Sequence, residues 1–214
     1  MPTAGLGRSS RFPRTSCDRR VAQEYNCRMS TIVAQPAVLT AHPSTPSDAV
    51  RSLGVQLRAE EPGILVFQYS LDADMSRVRV PLSGAGGRED DLWKHTCFEA
   101  FIAPADAPGY HEFNFSPSLD WAIYRFSAYR EGMSLAEIGG APEISVRRGV
   151  DGLDLRTVVR FGHAADLRDA GRLRIALAAV IEDQNGRLSY WALRHPHGKP
   201  DFHHRNGFAL EVTP

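Results

Sequence analysis

Two carboxylates, an amide and several aromatic rings recur at two-residue spacing between Leu92 and Asp120, in LWKHTCFEAFIAPADAPGYHEFNFSPSLD. Side chains of an extended chain alternate faces. CFEAFIA therefore sends Phe98, Ala100 and Ile102 one way and Cys97, Glu99 and Phe101 the other. YHEFNFS sets His111, Phe113 and Phe115 against Tyr110, Glu112, Asn114 and Ser116. Paired as a hairpin, the segments bring Glu99, Tyr110, Glu112 and Asn114 onto one patch of sheet, with Trp93 at the head of the acidic strand. A sugar ring packs its C–H bonds on an aromatic face while its hydroxyls bond to acids, amides and Arg, so this is a fitting surface for a small polar ligand. The wet side of an ordinary antiparallel sheet carries the same alternation, and that reading stands beside the first.

A second concentration of reactive residues is RHPHGKPDFHH, Arg194 to His204, with half of the eight histidines and one Asp. His195 and His197 share a direction if extended, and His203 and His204 follow Asp201, a pattern that suits a metal site. Adjacent histidines seldom both ligate one ion. The preferred reading is a ligand-side loop in which Arg194, His195, His197, Asp201 and His203 offer hydrogen bonds, with no metal assigned. A solvent-exposed turn fixed by Pro196 and Pro200 has the same composition.

Catalytic readings gather less support. Glu99 and Glu112 could serve as the acid and base of a glycoside hydrolase, which needs carboxyls about 5 to 9.5 Å apart. No Ser–His–Asp arrangement or phosphate loop accompanies them, and SGAGGREDD at 83–91 lacks the required glycine pattern. Cys97 follows His95 by two residues, about 7 Å along a strand, too far for a nucleophile–base pair. It is expected to be a half-buried small apolar side chain. Haem would need Met75, Met133 or a His as axial ligand, held noncovalently because CxxCH is absent. Binding is favoured over catalysis, and no cofactor is required, haem and a structural metal ion being the candidates.

These residues must be positioned by strands. Val55–Leu57, Ile64–Ser70, Val78–Val80, Cys97–Ala103, Tyr110–Ser116, Trp121–Phe126, Ile144–Arg148, Leu153–Arg160, Leu173–Ile181, Leu188–Leu193 and Phe208–Val212 read as strands between Gly, Pro, Asn and Asp clusters. Such spacing predicts an all-β, two-sheet antiparallel β-sandwich. Asn185-Gly186 predicts a type I′ hairpin turn, and only Ala128–Ile138 shows a helical period, interrupted by Gly132. Of the tryptophans, Trp121 is expected in the core and Trp93 at the ligand.

Composition bounds the rest. The 214 residues, 43% hydrophobic and 23% charged with zero net charge, suit one globular domain and give no electrostatic case for nucleic acid or an anionic membrane. The zero hides an asymmetry: residues 1–28 hold six Arg against Asp18 and Glu24, a net +4 balanced by −4 in the remainder. Residues 1–30 read as a disordered or mis-started leader, with Met29 as an alternative start, 31–49 as a Pro/Ser/Thr-rich lead-in and 50–214 as the domain. Scattered Arg and the lack of an apolar run predict no signal peptide or membrane span, hence a cytoplasmic protein. Three cysteines without a CxxC pair exclude a disulfide framework.

LWKHTCFEAFI, GYHEFNFSPS, DWAIYRF and LSYWALRHPHGKPDFHHRNGFALEV resemble the DOMON-like domains of bacteria, relatives of the family-nine carbohydrate-binding modules, over about Val50 to Val212. The resemblance implies a β-sandwich of the DOMON or carbohydrate-binding-module type. It also implies a non-catalytic module for a carbohydrate or sugar-containing small molecule, with haem binding, known among relatives, as the alternative.

Overall fold

The computed structural model describes Ile32, Val33 and residues 36–213; the leader expected over residues 1–30 lies outside these. Fourteen strands form among the described residues: β1 (Ile32–Val33), β2 (Ala37–Ala41), β3 (Val50–Glu61), β4 (Ile64–Ala73), β5 (Val78–Arg79), β6 (Cys97–Pro104), β7 (Tyr110–Phe115), β8 (Trp121–Phe126), β9 (Ser134–Leu135), β10 (Glu143–Arg148), β11 (Gly152–Arg160), β12 (Leu173–Asp183), β13 (Leu188–Ala192) and β14 (Leu210–Val212). Each strand expected from side-chain alternation is present, and the ladders between named strands are all antiparallel.

The sheets are not separate. The ladder runs β10-β11-β4-β3-β2-β13-β12-β6-β7-β8-β9, and β2 joins its halves by pairing with β3 on one side and β13 on the other. The single sheet curls until its halves face each other. Phe67 on β4 meets Phe115 on β7 at 6.1 Å between ring centroids, and Tyr69 meets Phe98 at 5.1 Å. The Tyr69 hydroxyl donates to the Glu99 carbonyl at 2.8 Å, which ties β4 to the back of β6. The segment expected as a lead-in thus contains β2, whose Leu39 is buried in the core.

Alternation decides which residues fill the interior. Phe98, Ala100 and Ile102 of β6 and Phe113 and Phe115 of β7 point into it, against Leu53, Leu57 and Leu65 from the facing half. Each such large side chain contributes about 1.5–3 kcal/mol by leaving water. The outward face of β6 and β7 is covered too, because both strands are buried at nearly every position whereas β10 alternates between half-buried and exposed. Phe101, Tyr110, Tyr124, Phe126 and Phe208 make a second apolar cluster there, with Trp93 and Phe202 packed against it.

Two local expectations are corrected. Ala128–Ile138 is not helical: Ala128 bridges Glu131, Arg130 and Gly132 have φ of 56° and 62°, and β9 follows. Left-handed residues two apart cannot propagate a right-handed helix. At 183–187 the Gly186 amide bonds the Asp183 carbonyl at 2.9 Å, and Gly186 alone has positive φ. A type I′ turn needs positive φ at two central residues, so this hairpin is the longer kind that ends on a left-handed Gly. The one α-helical turn among the described residues is Ala165–Arg168.

Candidate functional site

A cleft of about 390 Å³ opens over the outward face of β6 and β7, within the size range of small-ligand sites. In the β6–β7 ladder Glu99 stands opposite Asn114 and Phe101 opposite Glu112, so the two acids are diagonal neighbours. Both line the cleft, and both are almost fully buried. Asn114 lies beneath them with no exposed surface; its Nδ2 donates to Glu112 Oε1 at 2.8 Å, and its Oδ1 accepts from the Cys97 thiol at 3.6 Å. It orients Glu112 instead of meeting a ligand. Glu99 Oε1 is buried and has no hydrogen-bond partner among the described residues.

Facing the acids is His203, positioned by a relay. The Arg130 amide donates to the Tyr110 hydroxyl at 3.2 Å, and that hydroxyl lies 2.7 Å from His203 Nδ1. With the Tyr110 hydroxyl donating to Nδ1, the ring proton of the neutral imidazole sits on Nε2. Nε2 faces Glu112 Oε2 across 3.8 Å. Burial, and then the positive Arg130, hold His203 down to about 4, so at neutral pH this is not an ion pair. Arg130 is itself engaged: its Nη2 donates to Asp201 Oδ1 at 2.8 Å, and Asp201 also receives the Tyr129 hydroxyl and the His203 amide.

Burial raises the Glu99 carboxyl well above its ordinary range, and the nearby Glu112 raises it further. Burial also raises Glu112, against the opposing pull of the Asn114 hydrogen bond and of Arg130. Aromatic side chains wall the acids. Trp93 follows the acidic loop and packs edge-on against Tyr124 at 5.9 Å, while Tyr190 and Phe202 meet at 5.9 Å on the opposite side. The Tyr124 hydroxyl is held by Asp90, and burial raises it well beyond its usual value.

Of the residues singled out in the sequence, Trp93, Glu99, Glu112 and His203 line the cleft. Tyr110 and Asn114 stand behind them, and Asp201 anchors the loop. His197 lies in a neighbouring open trough with Lys199 and His204, which shares Arg130 and Pro200 with the cleft. His195 turns away, with Nε2 on the Thr40 carbonyl at 2.8 Å and its ring edge-on to His42. Arg194 is exposed and is not part of the cleft lining. Sequence alternation did not single out Tyr124, Phe126, Arg130, Tyr190 and Phe202, which also line the cleft. Tyr124 was accessible to it: WAIYRF alternates like its neighbours, and Tyr124 pairs with Glu112 on the third strand of the same face.

Other chemistries place differently. Cys97 is fully buried, its thiol pKa pushed up by that burial, and His95 Nδ1 pairs with Glu182 at 2.8 Å, so no Cys–His pair forms. Among the described residues no three His, Cys, Asp or Glu side chains converge as metal ligands. Met133 lines the cleft, while Met75 packs against the interior core. Trp121 is partly buried against that core, and no helix among the described residues is long and apolar enough to cross a membrane.

No family model matches the chain, and no curated protein matches it in sequence. Solved structures do. A Bacteroides uniformis protein with a proposed carbohydrate-binding role superposes with a TM-score of 0.62 at 15% identity, over 84% of this chain and 85% of the other. A family-nine carbohydrate-binding module from Caldicellulosiruptor kristjanssonii in complex with cellotriose gives 0.49 at 11% identity over 86% and 82%, and one in complex with glucose gives 0.42 at 12% identity over 72% of each chain. The chain shares its all-β fold with the Bacteroides protein over most of both lengths.

Proposed function

We propose that this protein is a non-catalytic module that binds a carbohydrate in the cleft above β6 and β7, within a curled antiparallel sheet of the DOMON and family-nine type. One observation carries the reading: the buried Glu99 carboxyl oxygen, without a partner among the described residues, at the floor of an aromatic-walled cleft. A buried polar atom left unpaired costs about 1–3 kcal/mol, a cost that a ligand hydroxyl removes. Trp93, Tyr124, Tyr190 and Phe202 supply faces and edges for the C–H side of a sugar ring. His203 Nε2–H and the Glu112 Oε2 facing it are a donor and an acceptor for neighbouring hydroxyls. The carbohydrate-binding description of the Bacteroides relative agrees with this reading. A hydrolase would need one of the two acids ionised as base or nucleophile, and burial raises both.

Titration calorimetry against glucose, cellobiose and a panel of other saccharides tests the proposal. Saturable binding is expected, and Trp93→Ala should weaken it by about 1–3 kcal/mol while leaving the unfolding transition in place. The control, Phe113→Ala, removes an interior ring and should cost about 3–5 kcal/mol of stability. Absence of binding across the panel, or Trp93→Ala binding as well as the unaltered protein, would overturn it.

A further inference from the structure

The cleft holds two buried acids and no matching positive charge. Arg130 is the one Lys or Arg in its lining, and its guanidinium is spent on Asp201 at 2.8 Å. Glu112 has one neighbour within ion-pair range, His203, and Glu99 has none among the described residues. The groups facing the pair are Cys97 on β6, Tyr110 on β7, Tyr124 on β8, Tyr190 on β13, Arg130 in the loop after β8, and His203. None of them but Arg130 carries positive charge at neutral pH. Aromatic rings meanwhile surround the acids, and Trp and Tyr faces attract a cation most strongly where water is excluded.

Paired acids inside an aromatic enclosure form a receptor for an ammonium group. We propose that the cleft selects a cationic amino sugar, whose ammonium group lies between Glu99 and Glu112 while its ring packs on the aromatic walls. This rests on the carbohydrate reading above and narrows it. A neutral sugar leaves the two acids to be discharged by proton uptake. An ammonium discharges them in place and brings three donors to carboxyl oxygens that lack one. Burial raises Glu99 above its ordinary range, so an ammonium placed beside it favours the ionised form and drives proton release.

The experiment is titration calorimetry of the full chain with glucosamine, N-acetylglucosamine and glucose at about pH 6, where an alkyl amine is protonated. Each titration is run in two buffers of different ionisation enthalpy, so that protons released on binding are counted. Glucosamine should bind about tenfold or more tighter than the other two, the scale of a desolvated cation–aromatic contact, and should release protons where glucose releases none. Glu99→Gln and Glu112→Gln should each bring the ratio of glucosamine to glucose affinity towards one. If these variants do not fold, the proton count on the unaltered protein still decides. Equal affinities for the three sugars, or glucosamine binding without proton release, would overturn the proposal and leave the carbohydrate reading standing. Binding of none of the three, nor of any saccharide in the wider panel, would overturn both.

Discussion

At the scale of single residues, the buried Glu99 carboxyl on the cleft floor is a stability cost. An acid whose folded pKa is raised above its unfolded value holds its proton better when folded, so its ionisation opposes folding as pH rises. Glu99 and Glu112 are both raised above the ordinary 4.5. Their cost is therefore absent below about pH 4.5 and grows as pH climbs toward the folded values. His203 works on the other limb. Its folded value of about 4 lies below the ordinary 6.5, so its contribution is complete above pH 6.5 and is lost as pH falls through that window. Urea unfolding across this range is the check. Relative to the unaltered protein, Glu99→Gln should gain about 1.4 kcal/mol for each pH unit between 4.5 and the folded value, with no change in the difference below 4.5. A difference that stays constant with pH would show that Glu99 titrates in the folded protein as it does in the unfolded chain.

At the scale of elements, the turn between β8 and β9 does more to build the site than its sequence suggests. Gly132, at φ 62°, closes a loop in which the Ser127 amide bonds the Glu131 carbonyl at 3.0 Å. The same loop presents the Arg130 amide to Tyr110 and the Arg130 guanidinium to Asp201, so it fixes both the His203 relay and the strap that carries His203. A Cβ on Gly132 would fall 2.3 Å from Ser127 Oγ and 3.0 Å from its Cβ, in a conformation that L residues rarely adopt. Gly132→Ala should thus cost about 1–3 kcal/mol of stability. Because it shifts Arg130, it should also weaken ligand binding, as calorimetry of the variant would register. Normal affinity in a destabilised Gly132→Ala protein would mean that the relay does not depend on this turn.

At the scale of the whole molecule, one ladder and one interior core join the two halves of the sheet. β2 supplies the continuity of hydrogen bonds, and the Tyr69 hydroxyl on the Glu99 carbonyl couples the facing half to the strand that bears the site. Sharing one ladder and one core, the two halves are expected to unfold together in a single step. Far-UV and near-UV circular dichroism should therefore lose signal at one common temperature, and a ligand present at one hundred times its Kd should raise the apparent stability by about 2.7 kcal/mol. Two separated transitions would show that the halves are independent units joined only at β2.

The sequence by itself determined most of the strands and their faces, though not β1, β2 or β9. Alternation is a local property, and it placed Phe98, Phe113 and Phe115 inside and Glu99 and Glu112 together outside before any pairing was known. It also picked out Trp93 and the 194–204 loop, of which His203 lines the cleft. It could not show that the outward face is buried, since that depends on where the loop carrying Phe202 and His203 lands, many strands away from β6. Nor could it reveal that β2 closes the two halves into one sheet, because that strand is held by β13, about 150 residues later in the chain. Arg130 escaped notice for a different reason: its role is set by a left-handed backbone that no side-chain pattern announces. What turned two ordinary outward-facing acids into the floor of a cleft was the tertiary covering of a face that alternation alone leaves open to water.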